Sequence, residues 1–502
     1  MKPWRQEVLP EQIFIKNASC SLSCNTLRAY SVGLAKVKIL DCGGRLVYCV
    51  DEPPLKPEDV KLVTALARKL AMTGEDSIPT DPGSLRRLAS SVGVAYPILA
   101  RKIPSLKYHV EKVLSGYGPL YPLIRDPEVE EIAVDGPGRS ISVVHRRFEI
   151  GWMDTNITLS QEELDMLVMY LGRKIGRPLS IAHPYAEGLT PEGHRIALTF
   201  SKEVSRLGSS IVVRKHFEKP LSATQLIDHG VVSEALMAYL WMLVDNGRSV
   251  LIAGPTASGK TTLLQAILGL IPSFKRIVTI EDTPELNLYD RPHWDSLVAR
   301  HSYSRDVEDV TLEKLARFAL RRRPDILVIG EIRGSEALVF LQAAATGHAA
   351  LATFHADSAH STIDRLRSMG VPQYLLEALD AIVVVKRVRI GHRVLRRVVE
   401  VVEVDGELHS IAKWVASRDV HEPVDYERIA RESRVFRRIA ETLGLELPEV
   451  IEEYALRVAM LRRLREQGVY EFMDVFRRID SWFAASNREL YAKLAEAAGS
   501  GR

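Results

Sequence analysis

The stretch SVLIAGPTASGKTT, residues 249–262, joins an apolar run to a glycine-containing loop and then to a helix-forming run. Residues 254–261 fit the pattern G-x-x-x-x-G-K-[ST], which requires a strand before it and a helix after it. Glycines let the backbone turn tightly, so that successive N–H groups point at phosphate oxygens, and the helix N-terminus adds positive potential. We therefore expect a nucleotide phosphate loop in which Lys260 contacts the β- and γ-phosphates and the Thr261 hydroxyl binds Mg²⁺. The expected nucleotide-binding residues are Gly254, Pro255, Thr256, Ala257, Ser258, Gly259, Lys260, Thr261 and Thr262.

Apolar segments alternate with helix-forming segments on both sides of this loop. Short, wholly apolar strands separated by helices predict a parallel sheet that is covered on both faces, as in the α/β class. The expected strands are residues 249–253, 276–281, 326–330, 350–355 and 381–386.

Three carboxyl groups follow apolar strands of this region. Glu331 comes directly after Gly330, which stands where such strands ordinarily carry a metal-binding aspartate, so Glu331 is the candidate to polarise the attacking water. Glu281 and Asp282 follow another strand, and open α/β sheets bind ligands at the carboxyl ends of their strands. Either could take over contacts to the metal or the water. A surface glutamate at position 331 and helix capping by Asp282 are the alternatives.

Two histidines flank the expected strand at 350–355: His348 precedes it and His355 ends it. A lone histidine is more often a hydrogen-bonded, partly buried imidazole than a functional group, and this alternative applies to both. Because His355 occurs together with the phosphate loop and the carboxylates that follow strands, it is a candidate catalytic residue.

Composition sets the general class of the protein. The chain of 502 residues is 46% hydrophobic and 26% charged, which is typical of a globular protein of about three compact units. A net charge of +3 argues against a dedicated nucleic-acid partner. No apolar run approaches the ~18–20 residues of a membrane span, and residues 1–12 lack an apolar signal core, so we expect a cytoplasmic protein.

The four cysteines, Cys20, Cys24, Cys42 and Cys49, all lie near the N-terminus. Their spacing, C-x₃-C and C-x₆-C, is a weak match to a Cys₄ zinc site, since zinc ribbons use two-residue spacers. Bound Zn²⁺, disulfides and free buried thiols are the three alternatives.

Four motifs together resemble the type II/type IV secretion ATPase superfamily (GspE-like), and its archaeal branch most. They are the loop at 254–261, I-E-D-T-P-E at 280–285, R-P-D with four apolar residues and G-E-I-R-G at 323–334, and T-G-H with T-F-H-A at 346–356. The resemblance covers roughly residues 105–405. Ala257 departs from it, since the family usually has glycine there. Alanine fits if its φ is negative, whereas a glycine-only dihedral would cost roughly 1–2 kcal/mol.

The resemblance implies a PAS-like α+β domain joined by a flexible linker to a RecA-like ATPase core, with ATP and Mg²⁺ between the two domains. Six copies form a ring. Arginines of the α+β domain approach the γ-phosphate, and Arg195 and Arg214 match them best, with a surface arginine as the alternative for each. Arg321 and Arg323 match arginines of the family's core, where a solvated basic run is an equal alternative.

The expected organisation of the chain follows from these assignments. The expected regions are a cysteine-containing segment at 1–55, a helical region at 56–117, the α+β domain at 118–215, a linker at 216–233, the ATPase core at 234–400 and a helical C-terminal region at 401–502.

The resemblance also implies partners. The protein would dock on a polytopic membrane platform protein at the inner face of the cytoplasmic membrane and drive assembly of pilin-like filaments, with the archaellum motor ATPase as the alternative within the family. A DNA-translocating ATPase is the alternative from another class, and it would need a basic channel that carries aromatic residues. The lack of an N-K-x-D element disfavours a GTPase. The presence of Lys260, Thr261 and Glu331 disfavours a non-hydrolysing scaffold.

Overall fold

The computed structural model describes residues 17–148, 151–215, 220–300, 308–390 and 393–499. The chain divides into two compact units, Met1–Phe217 and Glu218–Arg502. Within the described residues each unit contains one sheet of nine strands.

The first unit combines strands from distant parts of the sequence. They are β1 (Asn25–Val32), β2 (Ala35–Asp41), β3 (Leu46–Asp51), β4 (Val129–Val134), β5 (Ser140–His145), β6 (Trp152–Thr158), β7 (Tyr185–Leu189), β8 (Arg195–Thr199) and β9 (Ser210–Arg214). Their order in the sheet is β1-β2-β3-β6-β5-β4-β9-β8-β7. Neighbours are antiparallel except β3 and β6, which are parallel. The strands of the cysteine-containing segment therefore share a sheet with those of region 118–215.

The described helices of this unit are α1 (Val60–Thr73), α2 (Pro82–Ser91), α3 (Tyr96–Ser115), α4 (Tyr121–Arg125) and α5 (Gln161–Lys174). Helix α1 buries Val63, Leu66 and Leu70, whose spacing places them on one face, in the same apolar core as Val37 of β2. Helix α5 begins with a capping box, in which the Ser160 side chain and the side chain three positions later bond to each other's backbone N–H groups. Helices and sheet thus share one core.

Two disulfides close the cysteine-containing segment, Cys20–Cys49 and Cys24–Cys42. The zinc interpretation of these residues is therefore wrong, and so is the free-thiol alternative. Across the described part of the chain, no group of three or more His, Cys, Asp or Glu side chains is placed to hold a metal ion. Spacing alone could not decide the question, because Cys24 and Cys42 meet only once β1 and β2 have paired.

The second unit has the parallel sheet that the sequence predicts. Its strands are β10 (Val250–Ala253), β11 (Ile277–Glu281), β12 (Trp294–Val298), β13 (Ile326–Ile332), β14 (Ala349–Phe354), β15 (Ala381–Ile390), β16 (Arg393–Asp405), β17 (Glu407–Val415) and β18 (Val420–Glu422). They lie in the order β12-β11-β13-β14-β10-β15-β16-β17-β18. The first six are mutually parallel, and β16 to β18 extend the sheet in antiparallel fashion.

Helices cover both faces of this sheet. They are α6 (Ala223–Asp228), α7 (Glu234–Asp245), α8 (Lys260–Leu268), α9 (Leu312–Leu320), α10 (Glu336–Ala345), α11 (Ala359–Ser368), α12 (Gln373–Leu376), α13 (Tyr426–Glu432), α14 (Arg434–Leu443), α15 (Leu447–Glu466) and α16 (Phe472–Gly499). One apolar core includes Leu240 of α7 and Leu264 of α8, and a second includes Phe340 of α10 and Leu366 of α11. Val250 of β10 faces the first core and Leu251 faces the second, which is why these strands are apolar throughout.

Two regions differ from the sequence expectation. The expected linker at 216–233 contains helix α6, and its first four residues lie outside the described part of the chain. The C-terminal region is not helical throughout, because strands continue to Glu422 and helices begin only at Tyr426. Among the described residues, no helix combines the length and the apolar character needed to cross a membrane.

Candidate active site

The phosphate loop has the predicted strand–loop–helix geometry, since it joins the end of β10 to the start of α8. Gly254 is required by packing, because a Cβ atom there would lie 2.2 Å from the carbonyl oxygen of Val385. Gly259 is required by its backbone, since its φ of +97° falls in the left-handed region. Each glycine of the motif is therefore needed for a structural reason, Gly254 for close packing and Gly259 for its backbone conformation.

Ala257 has a φ of +59°, so of the two alternatives it has the glycine-type dihedral and not the negative φ that suits alanine. An L-residue in this region costs roughly 1–2 kcal/mol, so the loop holds local strain. Its carbonyl oxygen accepts a hydrogen bond of 3.4 Å from Nε of Arg396 on β16. A basic side chain of β16, which is separated from β10 by β15 in the sheet, thus contacts the strained residue of the loop.

Lys260 begins helix α8 and is buried. Its ammonium donates to the carbonyl oxygens of Gly254, at 3.0 Å, and Pro255, at 2.9 Å. A buried ammonium needs such partners. The residue therefore lies within its own loop, next to the exposed backbone of residues 255–257.

Glu331 lies at the carboxyl end of β13, where its two oxygens have different partners. Oε1 contacts Nε2 of His355, and Oε2 accepts a 2.7 Å hydrogen bond from Nε of Arg333. Arg333 also forms an ion pair of 3.6 Å with Asp282, which follows β11. Residues from the ends of three neighbouring strands therefore form one cluster at the edge of the sheet.

His355 links this cluster to the phosphate loop. The backbone N–H of Gly254 donates to the carbonyl oxygen of Phe354, the residue before His355. Burial and then the charge of Lys260 lower the pKa of His355, although the Glu331 carboxylate opposes the shift. A neutral imidazole can donate one N–H to Glu331. The predicted residues Lys260, Glu331 and His355 are thus brought together.

Glu281 has a different environment, since it is buried and its carboxylate serves its own loop. Oε1 accepts backbone hydrogen bonds from Glu285, at 2.8 Å, and Leu286, at 3.0 Å, whereas Oε2 is buried with no hydrogen-bond partner. Burial raises the pKa of Glu281 to about 7, even though the two backbone N–H groups lower it. Asp282, by contrast, reaches Arg333 and so belongs to the cluster around Glu331.

The candidate arginines of the first unit lie side by side. Arg195 on β8 and Arg214 on β9 are direct cross-strand partners. Both side chains are about half exposed, and they form ion pairs with Glu187, at 3.7 Å, and Glu131, at 3.9 Å. Two guanidinium groups therefore lie directly opposite each other on neighbouring strands, and each is paired with a carboxylate.

The remaining candidates are separate from the cluster at the sheet edge. His348 precedes β14 and its Nδ1 lies 3.2 Å from the Thr346 hydroxyl, at the opposite end of that strand from His355. Arg321 and Arg323 are exposed, and Arg323 has a φ of +54°.

Sequence reasoning gave no role to Arg333, which contacts both Glu331 and Asp282. Its position two residues after Glu331 was the available signal, because alternate residues of an extended strand face the same side.

A lysine-bearing loop between a buried strand and a helix, with a carboxylate on another parallel strand of the same sheet, defines a P-loop nucleotide hydrolase. The family model of type II/IV secretion system proteins matches residues 117–470. The chain belongs to this family, and it is an ATPase.

Several known proteins are similar to this chain. An uncharacterized protein of Methanocaldococcus jannaschii is 37% identical over 377 residues, which are 73% of this chain and 68% of the relative. The type IV secretion system protein PtlH of Bordetella pertussis is 31% identical over 322 residues, or 57% of this chain and 94% of PtlH. Among solved structures, the VirB11 ATPase of the Brucella suis type IV secretion system is 27% identical, with 58% of this chain and 97% of that chain covered and a TM-score of 0.30.

Proposed function

We propose that this secretion ATPase hydrolyses ATP at the sheet edge where Lys260, Glu331 and His355 meet. The observation that carries the proposal is the fixed position of Glu331, whose carboxylate contacts His355 on one side and Arg333 on the other. An ionised carboxylate offers about four acceptor positions, so Glu331 keeps capacity to accept a proton from water. Its two neighbours hold it in place without consuming that capacity.

The proposed role of Lys260 is a charge contact with the β- and γ-phosphates. To reach them the ammonium leaves the carbonyl oxygens of Gly254 and Pro255, which accept its hydrogen bonds in this structure. The exchange replaces neutral acceptors with anionic ones, so the Coulomb attraction between opposite charges is added to each hydrogen bond of the ammonium. Phosphate is therefore the better partner for this lysine.

The oxygen atoms at this edge fit Mg²⁺, which prefers hydroxyl, carboxylate and phosphate ligands. Thr261 follows Lys260 at the start of α8, and Asp282 and Glu331 end neighbouring parts of the sheet. We assign the metal contact to the Thr261 hydroxyl, with Asp282 of the Glu331 cluster as a second candidate ligand. When bound, Mg²⁺ neutralises charge on the β- and γ-phosphates.

We further propose that six copies form a ring in which Arg195 and Arg214 approach the γ-phosphate. The support is their cross-strand pairing, which places two guanidinium groups on one exposed surface. A charge supplied from outside the phosphate loop stabilises the transition state of phosphoryl transfer. A closed ring requires head-to-tail contacts between two different faces of each copy.

The proposed work of the ring is assembly of pilin-like filaments or secretion at the inner face of the cytoplasmic membrane, on a polytopic platform protein. The relative PtlH, described as a type IV secretion system protein, supports this assignment. The test compares ATPase turnover of the full chain alone, with its host's platform protein in vesicles, and with duplex or single-stranded DNA. We expect stimulation by the platform protein only. Stimulation by DNA instead would favour the DNA-translocating alternative.

A further inference from the structure

The turn between β7 and β8 precedes Arg195 directly and is locally ordered. The backbone N–H of Thr190 donates to the carbonyl oxygen of His194, and that of Gly193 donates to the carbonyl oxygen of Thr190, both at 2.8 Å. Gly193 has a φ of +87°, which suits a tight turn. The position of this turn therefore determines the point at which β8 begins and Arg195 emerges.

Lys174, the last residue of α5, holds the turn from inside the unit. Its side chain is completely buried, and Nζ donates to Oε1 of Glu192 at 3.1 Å and to the carbonyl oxygen of Ser115 at 2.7 Å. Oε2 of Glu192 accepts a 2.6 Å hydrogen bond from the Tyr117 hydroxyl. The same ammonium lies 3.5 Å from the centroid of the Tyr117 ring.

These contacts connect three elements at one point: the end of α3 through Ser115, the end of α5 through Lys174, and the turn through Glu192. Burial alone would raise the pKa of Glu192, but the Lys174 ammonium and the Tyr117 hydroxyl lower it below its ordinary value. The glutamate is therefore held as a carboxylate, which keeps the connection charged.

Stability alone does not account for such an arrangement. Desolvating a lysine is expensive, and apolar side chains of similar volume often serve as well or better than a buried ion pair. What the ion pair adds is direction, because each donor and acceptor must keep its angle. A directional contact at the tip of a turn limits where the following strand can lie.

We propose that Lys174 is a positioning residue for ATP hydrolysis: through Glu192 it fixes the β7–β8 turn and so places Arg195 for its contact with the γ-phosphate. The proposal rests on the function proposed for Arg195. Arg214 faces Arg195 across the two strands, so the same turn also influences the second guanidinium.

A double-mutant cycle tests the proposal in the full chain. We expect Lys174→Met to lower kcat about 10-fold, since a shift of ~1 Å in a catalytic group can cost up to ~100-fold, while KM for ATP changes less than about two-fold. In the Arg195→Ala background the same substitution should have no further effect on kcat, because the group that it positions is gone. Losses that multiply in the double variant would overturn the proposal.

Further variants separate the possible causes. Lys107→Met, which removes a half-exposed lysine paired with Glu111 on α3, is the matched control and should leave kcat unchanged. If Lys174→Met does not fold, Glu192→Gln repeats the cycle with a side chain of equal size that still accepts from Tyr117. An Arg195→Ala variant with normal kcat would refute the proposed function of Arg195. An Arg195→Ala variant that loses activity while Lys174→Met and Glu192→Gln keep full kcat would refute only the positioning role.

Discussion

The Cγ atom of Glu281 lies 2.9 Å from the point where a Cβ atom on Gly330 would sit. Strands β11 and β13 are neighbours in the sheet, so any side chain at position 330 would collide with the buried glutamate. Gly330 stands where an aspartate ordinarily binds the metal. Its lack of a side chain therefore leaves the room that the Glu281 side chain occupies. The site keeps a carboxyl group in this region, but it comes from the adjacent strand and is occupied with backbone N–H groups.

Glu281 should make the stability of the second unit depend on pH. Burial raises its pKa to about 7 in the folded protein, above the ordinary value of 4.5, so the folded state holds a proton that the unfolded state releases. This contribution is fully present below pH 4.5 and is lost as pH rises through about 7, with an upper bound of ~3 kcal/mol. Thermal unfolding of Glu281→Gln should therefore show a flatter decline between about pH 5 and pH 8.

The control for this experiment is Glu452→Gln, because Glu452 is exposed on α15. Its pH profile should follow the wild type. A Glu281→Gln variant with the same slope as the wild type would show that folding does not raise the pKa of Glu281.

Lys260→Ala should abolish ATP hydrolysis and weaken nucleotide binding. The variant loses the ammonium that we assign to the phosphates, and no other side chain of the loop carries positive charge. Phosphate release measures the first effect and titration with a fluorescent ATP analogue measures the second. Lys413→Ala, at an exposed position on β17, is the control. Wild-type turnover in Lys260→Ala would refute the assigned site.

Glu331→Gln should bind ATP normally but hydrolyse it ~10²–10⁴-fold more slowly, the usual contribution of a general base. The amide keeps the size of the side chain and can still contact His355 and Arg333, but it cannot take a proton. Comparing ATP affinity with single-turnover rate separates binding from chemistry. If the rate is unchanged, Asp282 is the next candidate for the base, because it shares Arg333 with Glu331.

Arg195→Ala and Arg214→Ala should each lower kcat by about 10³-fold or more with little loss of ATP affinity, because an arginine finger acts mainly in the transition state. Activity per chain should also rise with protein concentration as rings form, which sedimentation beside steady-state kinetics would measure. Arg206→Ala, at an exposed loop position of the same unit, is the control. A fully active monomer would contradict the proposed ring mechanism and leave the phosphate-loop assignment intact.

Reduction by a dithiol should destabilise the first unit selectively. The disulfides link residues 29 and 18 positions apart, and cross-links of this length stabilise by ~3 kcal/mol each. Proteolysis of the reduced chain should begin before residue 52, and the variant Cys24→Ser with Cys42→Ser should behave as if half reduced. Peptide mapping without reductant identifies the pairing. Zinc found at one equivalent per chain would speak against the disulfides.

Local patterns predicted the parts of the site that depend on neighbouring residues. The fold of residues 254–261 follows from glycine positions, and the place of Glu331 follows from the apolar strand before it. The φ of Ala257 could not be predicted from local residues, because the carbonyl oxygen of Ala257 accepts a hydrogen bond from Arg396 on β16, 139 residues later in the chain. The role of Arg333 was missed for a similar reason, since it depends on Asp282 at the end of another strand.

In the first unit too, local features were predictable from the sequence and features that depend on distant contacts were not. The face of α1 was predictable from the spacing of Val63, Leu66 and Leu70, because helical periodicity is a local property. It was not predictable that the cysteine-containing strands share one sheet with region 118–215, because this depends on the pairing of β3 with β6. Disulfide pairing required the same non-local information.

The parallel pairing of β3 with β6 has a consequence for the order in which the chain folds during synthesis. The backbone N–H of Val50 donates to the side chain of Asn156, a contact between residues 106 positions apart. Strands β1 to β3 leave the ribosome before β6 has been synthesised. Until then, the backbone N–H and C=O groups along the β6-facing edge of β3 have no strand to pair with. Closing such a distant contact is slow. Nascent chains stopped before Trp152 should therefore be the most susceptible to aggregation through this edge.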